Sequence, residues 1–343
     1  MFWFIFHFTN NAANIFILMS TIIFILIFCF FISYYRISCG AHWIYFAIIA
    51  LALRLLVPIP LVFDYAAYYS NDIYDYNFYG FTDIISEPAL KAVYNLAFVF
   101  FNDKKQTVHF IYWLNFSTCT YLFYRISKYH IPFFKKMILF SFYYFFFTYI
   151  LLRNGIPYLL VFMFFYELNN TESKLRRLII ASFFHASAII VFLVRLISEI
   201  KIERLFIYGL SIAVILAVLA INNIFVLDYF IDKFVVYAEV ERERSNSHII
   251  WMLFIISIFL WSFIENRVKS SSVFFITFMT IYLILNYINP VMGFRLSLYI
   301  FLFYLTLPIT NPKISRYVPD INLLSFGLFF LFYLNYSNAH YLN

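Results

Sequence analysis

"ANIFILMSTIIFILIFCFFISYY" fills residues 13–35 and contains no charged side chain. Wound into a helix at ~1.5 Å per residue, it is long enough to cross a hydrocarbon core of ~30 Å. Leu205–Leu227 repeats the pattern, and shorter apolar runs recur along the whole chain. The 343 residues are 64% hydrophobic and 12% charged, with a mean hydropathy of +0.85. Soluble domains carry roughly twice that charged fraction. The runs do not alternate with period two, which argues against a β-barrel. The sequence therefore reads as an all-α polytopic integral membrane protein with about 11–13 membrane helices, some short or re-entrant. Residues 1–343 form a single transmembrane domain.

Other bulk features exclude more than they assert. Cys29, Cys39 and Cys119 are too few and too scattered for a disulfide framework or a metal site. The N-terminal run lacks a basic leader and a small-residue cleavage site, so it reads as a retained helix. The net charge of +7 would suggest nucleic acid for a soluble protein. In a membrane protein it follows from lysine and arginine collecting in cytoplasmic loops, and no nucleic-acid partner is expected. The abundance of Phe, Tyr, Ile and Asn together also follows from an AT-rich genome, so aromatic content alone is a weak guide.

The basic clusters set the topology. "RISKYHIPFFKK" (125–136), "KLRR" (174–177), "RLISEIKIER" (195–204), "ENRVK" (265–269) and "KISR" (313–316) belong inside. Crossings are then expected at about 13–34, 43–60, 107–124, 134–152, 156–168, 205–227, 248–264, 271–288, 290–309 and 319–335. The segment 174–198 must begin and end inside, so it should reverse near "FFHAS". Residues 87–103 are too short and too amphipathic to cross and should lie on the outer interface. In this layout 15 of 24 Lys/Arg fall inside and 7 outside, with Arg54 and Arg295 within helices; 11 of 17 Asp/Glu fall outside. The outer loops are 64–106 and 228–247.

The layout gathers unusual residues at the outer face. Arg54, Arg153 and Arg295 stand there on separate segments, with His185 at the expected reversal. An intramembrane arginine is costly and generally faces a partner or a polar cavity. Three guanidinium forks at one depth suit a polyanion such as a lipid-linked diphosphate. Each arginine also has a plainer reading, in which it snorkels to headgroups, and His185 on its apolar segment also reads as a packing residue. Beside the cations lies "FDYAAYYSNDIYDYNFYGFTDIISEP" (63–88), with five carboxylates and six tyrosines. Tyrosine faces pack on a pyranose and carboxylates accept from its hydroxyls. Tyr65, Tyr68 and Tyr69, with Tyr237 of the second outer loop, are the candidate sugar-binding residues. Asp64, Glu87 or His185 could act on an acceptor hydroxyl. The same tyrosines also fit an ordinary interfacial aromatic belt. Asp72 and Asp75 lack a regular ligand set, so no metal is expected.

The ordered set of segments resembles the EpsG/Wzy group of polysaccharide polymerases. "FDYAAYY" (63–69) is similar to that group's outer Asp-Tyr stretch, and "SEPALKAVYNLAFVFF" (86–101) to its Glu-Pro segment opening an interfacial helix. "RNGIP" (153–157) holds the place of its outer arginine, with Asn154 where Gln often follows. "ASFFHASAII" (181–190) is similar to its Phe-His-x-Ser-Ala signature, and "GFRLSLYI" (293–300) to its late arginine-bearing helix. The resemblance covers roughly 60 to 300. It implies a GT-C-like glycosyltransferase fold and an active site at the outer face of a bacterial inner membrane. The implied substrate is an undecaprenyl-diphosphate-linked oligosaccharide. The implied partners are membrane lipids and a chain-length regulator and flippase of the same pathway. No cofactor is expected, since the lipid diphosphate linkage carries the energy. A lipid-linked oligosaccharide flippase or transporter, or an O-antigen ligase, is the alternative reading.

Overall fold

The computed structural model describes residues 48, 88–139, 147, 154–170, 175–185, 187–199, 246–265, 271–288 and 290–309. Among them the regular structure is entirely helical: α1 (Pro88–Phe101), α2 (Lys104–Ser127), α3 (Phe133–Ile138), α4 (Gly155–Asn170), α5 (Arg176–Phe184), α6 (Ser187–Glu199), α7 (Asn246–Glu265), α8 (Ser271–Ile288) and α9 (Pro290–Thr306). The expected segments 87–103, 107–124, 156–168, 248–264, 271–288 and 290–309 coincide with α1, α2, α4, α7, α8 and α9 within a few residues.

Local chemistry explains the joints. Pro88 opens α1, where its missing N–H costs nothing. Leu90, Lys91, Tyr94 and Ala97 bury one face of that helix, while Leu96, Val99 and Phe100 point outward. Asn102 ends it in the left-handed region at φ 44°, a conformation asparagine tolerates. Asp103 then caps α2, its carboxylate accepting the Gln106 N–H at 2.7 Å. This cap carries α2 three residues upstream of the segment expected from hydropathy.

Residue pairs fix relative directions. Tyr158 meets Tyr299, Phe165 meets Phe303 and Asn169 meets Thr306, so α4 and α9 run parallel. Trp251 bonds Ser297 and Tyr304 bonds Glu265, so α7 runs the same way. So does α2, whose Cys119 lies beside Gly155 while Tyr129, just past its end, stacks on Tyr166. Opposite to these runs α8, with Phe274 on Phe303 and Asn286 against Gly293. Arg177 pairs with Glu167 at 2.6 Å, turning α5 back along α4. The expected reversal in 174–198 coincides with a break at His185, whose extended backbone (φ −155°, ψ 128°) separates α5 from α6.

The core lies around α9, buried on every side from Leu296 to Leu307. Helices that are apolar all round belong in such central positions. Gly293 and Gly155 allow close approach: a Cβ on Gly293 would sit 2.7 Å from Asn286, and one on Gly155 would overlap the Phe147 carbonyl. The peripheral helices turn large apolar side chains outward, among them Leu253 and Leu260 on α7 and Ile276 and Ile284 on α8. Among the described residues no helix is long and apolar enough to cross a membrane. Asn246, Ser247 and His248 begin α7 and Glu265 closes it, and α2 carries His109 and Asn115 among its apolar residues.

Candidate functional site

Arg54, Asp64, Tyr65, Tyr68, Tyr69, Glu87, Arg153 and Tyr237 lie outside the described residues. His185 and Arg295 lie within them, and the fold brings the two to one region. α5 runs antiparallel to α4, so its end returns to the level of Tyr158, near the start of α4. Arg295 sits one turn before Tyr299 on α9.

Two tyrosines join these residues. The Tyr158 hydroxyl points to the Arg295 backbone carbonyl at 3.4 Å, and the Arg295 guanidinium is within electrostatic reach of that phenol. The Tyr158 ring packs on the Tyr299 ring with centroids 4.5 Å apart, and on Phe147 at 5.3 Å. The Tyr299 and Ser187 hydroxyls lie 2.9 Å apart. Ser187 Oγ is also 2.9 Å from His185 Nδ1, and the Ser187 backbone N–H donates to the same nitrogen at 3.0 Å. His185 is 8% exposed and Arg295 half-buried. The result is a low-dielectric region with a cation at one edge, an imidazole at the other and two phenols between. Such a setting strengthens any contact to an anion.

His185 also has a structural task. The first N–H groups of a helix lack intrahelical partners. Ser187 is the first residue of α6, and the His185 ring takes its N–H as a capping side chain would.

A second polar cluster lies at the other end of α9. Lys135 of α3 reaches Glu265 Oε2 at 2.8 Å, with both side chains fully buried. The ammonium also donates to the carbonyls of Tyr304 and Leu307 at 3.2 Å each. Glu265 Oε1 accepts from Trp261 Nε1 at 2.7 Å and Tyr304 Oη at 3.1 Å. Every proton of the ammonium and both carboxylate oxygens are used. The pair therefore reads as structural, holding the last turn of α9 against α3 and α7. In the sequence both residues look like ordinary loop charge, within "FFKK" and "ENRVK". They are 130 positions apart, and no spacing rule joins them.

Tyr158, Ser187 and Tyr299 were also missing from the residues singled out by sequence. The spacing was present: Ser187 lies two residues after His185, and Tyr299 one helical turn after Arg295. Among the described residues no group of three His, Cys, Asp or Glu side chains could hold a metal ion. No family model, curated protein or solved structure matches the chain.

Proposed function

We propose that the chain is a multi-pass glycosyltransferase of the bacterial inner membrane, with a GT-C-like fold of about 11–13 membrane helices, polymerising undecaprenyl-diphosphate-linked repeat units at the outer face. The observation that carries the reading is the meeting of His185 and Arg295 around Tyr158 and Tyr299. These two residues stand 110 positions apart, and residue type and topology assign both to one site. The helix directions support the same layout. α2, α4, α7 and α9, all expected to run inward, share one direction, and α8 opposes them. The outward-facing Leu, Ile, Val and Phe side chains suit lipid.

The reaction needs three things of this chain. The bond between the anomeric carbon and the lipid diphosphate breaks while a bond to the acceptor hydroxyl oxygen forms. Arg295, with Arg54 and Arg153, takes the negative charge that builds on the departing diphosphate. Asp64, or else Glu87 or His185, takes the acceptor's proton. Tyr65, Tyr68, Tyr69 and Tyr237 hold the sugars by their apolar faces.

Glycan banding in a deletion strain tests the reading. Glycan carrying a single repeat unit indicates a polymerase. Complete loss of repeats indicates the flippase or ligase alternative and removes the proposal. A strain complemented with Arg295→Lys should resemble the deletion, because lysine keeps the charge and loses the planar fork.

A further inference from the structure

We propose that the end of the bundle where α2 stops and α5 starts binds an anionic glycerophospholipid, its phosphate held by Arg125, Arg176 and Tyr129 and its acyl chains lying along the outward face of α5. The place is at the opposite end of α4 from His185 and Arg295. The inference rests on the proposal that the chain lies in a membrane, and not on glycosyl transfer.

Aromatic and ionic contacts hold the two helix ends together. The Tyr129 ring lies flat on the Tyr166 ring, with centroids 4.0 Å apart. The Tyr166 hydroxyl accepts the His130 backbone N–H at 3.0 Å. Arg177, in the first turn of α5, bonds Glu167 at 2.6 Å and donates to the Tyr129 hydroxyl at 3.3 Å. Arg125, in the last turn of α2, is within electrostatic reach of the same phenol. Tyr129 thus stands between guanidinium groups from two helices.

The charges of this cluster do not cancel. Glu167, the carboxylate in contact with it, is taken by Arg177. Arg125 is exposed and uses one N–H on the Tyr121 hydroxyl at 3.3 Å. Arg176 is exposed and has no partner among the described residues. Half-buried Tyr129 accepts from Arg177, and among the described residues nothing takes its own proton. Guanidinium and phenol both offer protons here, which is the complement of a phosphate oxygen.

A soluble phosphate would satisfy that chemistry alone. The surface of α5 favours a lipid. Arg176, Ile179, Ile180 and Phe183 follow the i, i+3, i+4, i+7 spacing of one helix face, and all four are exposed. A cation therefore heads a stripe of outward apolar side chains about 10 Å long. Arg125 on α2 repeats the order, with exposed Tyr121 one turn and exposed Leu114 three turns before it. Contact with the acyl chains selects no particular lipid, because all lipid tails are about equally apolar. The stripe fixes the depth of the cations, and the headgroup supplies the selection, at about fivefold in affinity per arginine. A phosphate bound there ties the end of α2 to the start of α5, so binding should stabilise the fold.

The experiment melts the full chain in a non-ionic detergent while dilauroylphosphatidylglycerol is titrated in. Dilauroylphosphatidylcholine and glycerol phosphate are the comparison probes. Phosphatidylglycerol should raise the melting temperature by about 4 °C at a hundredfold excess over its Kd, and the other two probes should not. In Arg125→Gln and in Arg176→Gln the concentration needed for a given shift should rise about fivefold, and in the double variant about 25-fold. Lys105→Gln removes an exposed cation from the other end of α2 and should leave the titration unchanged. If Arg125→Gln melts early through loss of its Tyr121 bond, Arg176→Gln carries the decision, since it breaks no contact among the described residues. An equal shift with phosphatidylcholine, or a full response in the double variant, overturns the site. So does equal loss in Lys105→Gln, which would make the effect one of total charge. Glycerol phosphate acting at the same concentrations as the lipid would make the occupant a soluble phosphate, and also overturns it. The shift is read without any glycan substrate, so its absence removes the lipid site while the glycan bands still decide the polymerase reading.

Discussion

Lys135→Met should be among the most damaging single changes the described part of the chain can suffer. The two charges stand 2.8 Å apart at 0% exposure. Their gross attraction at an effective dielectric of ~20 is about 6 kcal/mol, most of which offsets the cost of taking both from water. Methionine fills the space of the lysine stem but removes the charge and all three donors. Glu265 is then a buried carboxylate without its counter-ion, and the Tyr304 and Leu307 carbonyls lose a partner. Removing one member of such a pair costs ~3–5 kcal/mol. The melting temperature of the detergent-solubilised protein should fall on the order of 10 °C. Glu265→Gln added to Lys135→Met removes the stranded charge while its amide oxygen can still accept from Trp261. The double variant should therefore be more stable than Lys135→Met alone, with a coupling of ~1–3 kcal/mol. The assay is a double-mutant cycle by thermal unfolding, read by fluorescence-detected size exclusion. Melting of Lys135→Met indistinguishable from the wild type would refute the buried pair. Strictly additive effects would refute the direct contact.

Other expectations follow from close approaches and from the site. Gly155→Ala should destabilise by ~1–3 kcal/mol, because the added Cβ meets the Phe147 carbonyl and the Cys119 sulfur on a helix with no slack; relief by a simultaneous Cys119→Ala should be partial, since the carbonyl remains. Arg295→Lys should leave the melting temperature unchanged and lower polymer formation by ~10²–10³-fold, through a loss of ~2–4 kcal/mol from the charged transition state; normal glycan ladders from this variant would leave Arg295 only a snorkelling role. Asp64→Asn should abolish polymer without loss of protein, and an unaffected ladder would move the base to Glu87. Cysteines placed at Ser70 and Ser245 in a cysteine-free background should label from the periplasm without permeabilisation, and labelling only after permeabilisation would invert the topology.

The helices were legible in the sequence wherever an apolar run ended on a polar signal. "NPVMGFRLSLYIFLFYL" could be bounded by its proline and "FFNDKK" by its Asn-Asp pair, and the observed ends of α9 and α1 follow those residues. The break at His185 was legible for a different reason. A segment flanked by basic clusters on both sides is not expected to cross once, so an interruption was expected near "FFHAS". What the sequence could not supply was partnership. Tyr158 and Tyr299 look like two of thirty tyrosines in a tyrosine-rich chain. Only the parallel register of α4 and α9 puts one ring on the other. Lys135 and Glu265 were counted as loop charges because periodicity has no long-range term: a buried ion pair and two solvated charges give the same hydropathy trace.

The two polar clusters also constrain one another. Lys135 belongs to the basic stretch 125–136 and Glu265 opens 265–269, and the charge tally set both on the inner side. Their contact at 2.8 Å requires that they share a side, whatever that side is. Arg295 lies nine residues before Tyr304 on α9, about 14 Å along the axis, and His185 reaches its level through the antiparallel return of α5. α9 thus has the Lys135–Glu265 pair at one end and Arg295, level with His185, at the other. If labelling places 125–136 in the cytoplasm, His185 and Arg295 are displaced toward the periplasm by the length of helix between them, as the proposed outer-face site requires. If labelling places 125–136 outside, the same rigid separation moves His185 and Arg295 toward the cytoplasm. A periplasmic polymerase is then excluded by geometry, even with every contact in the site intact.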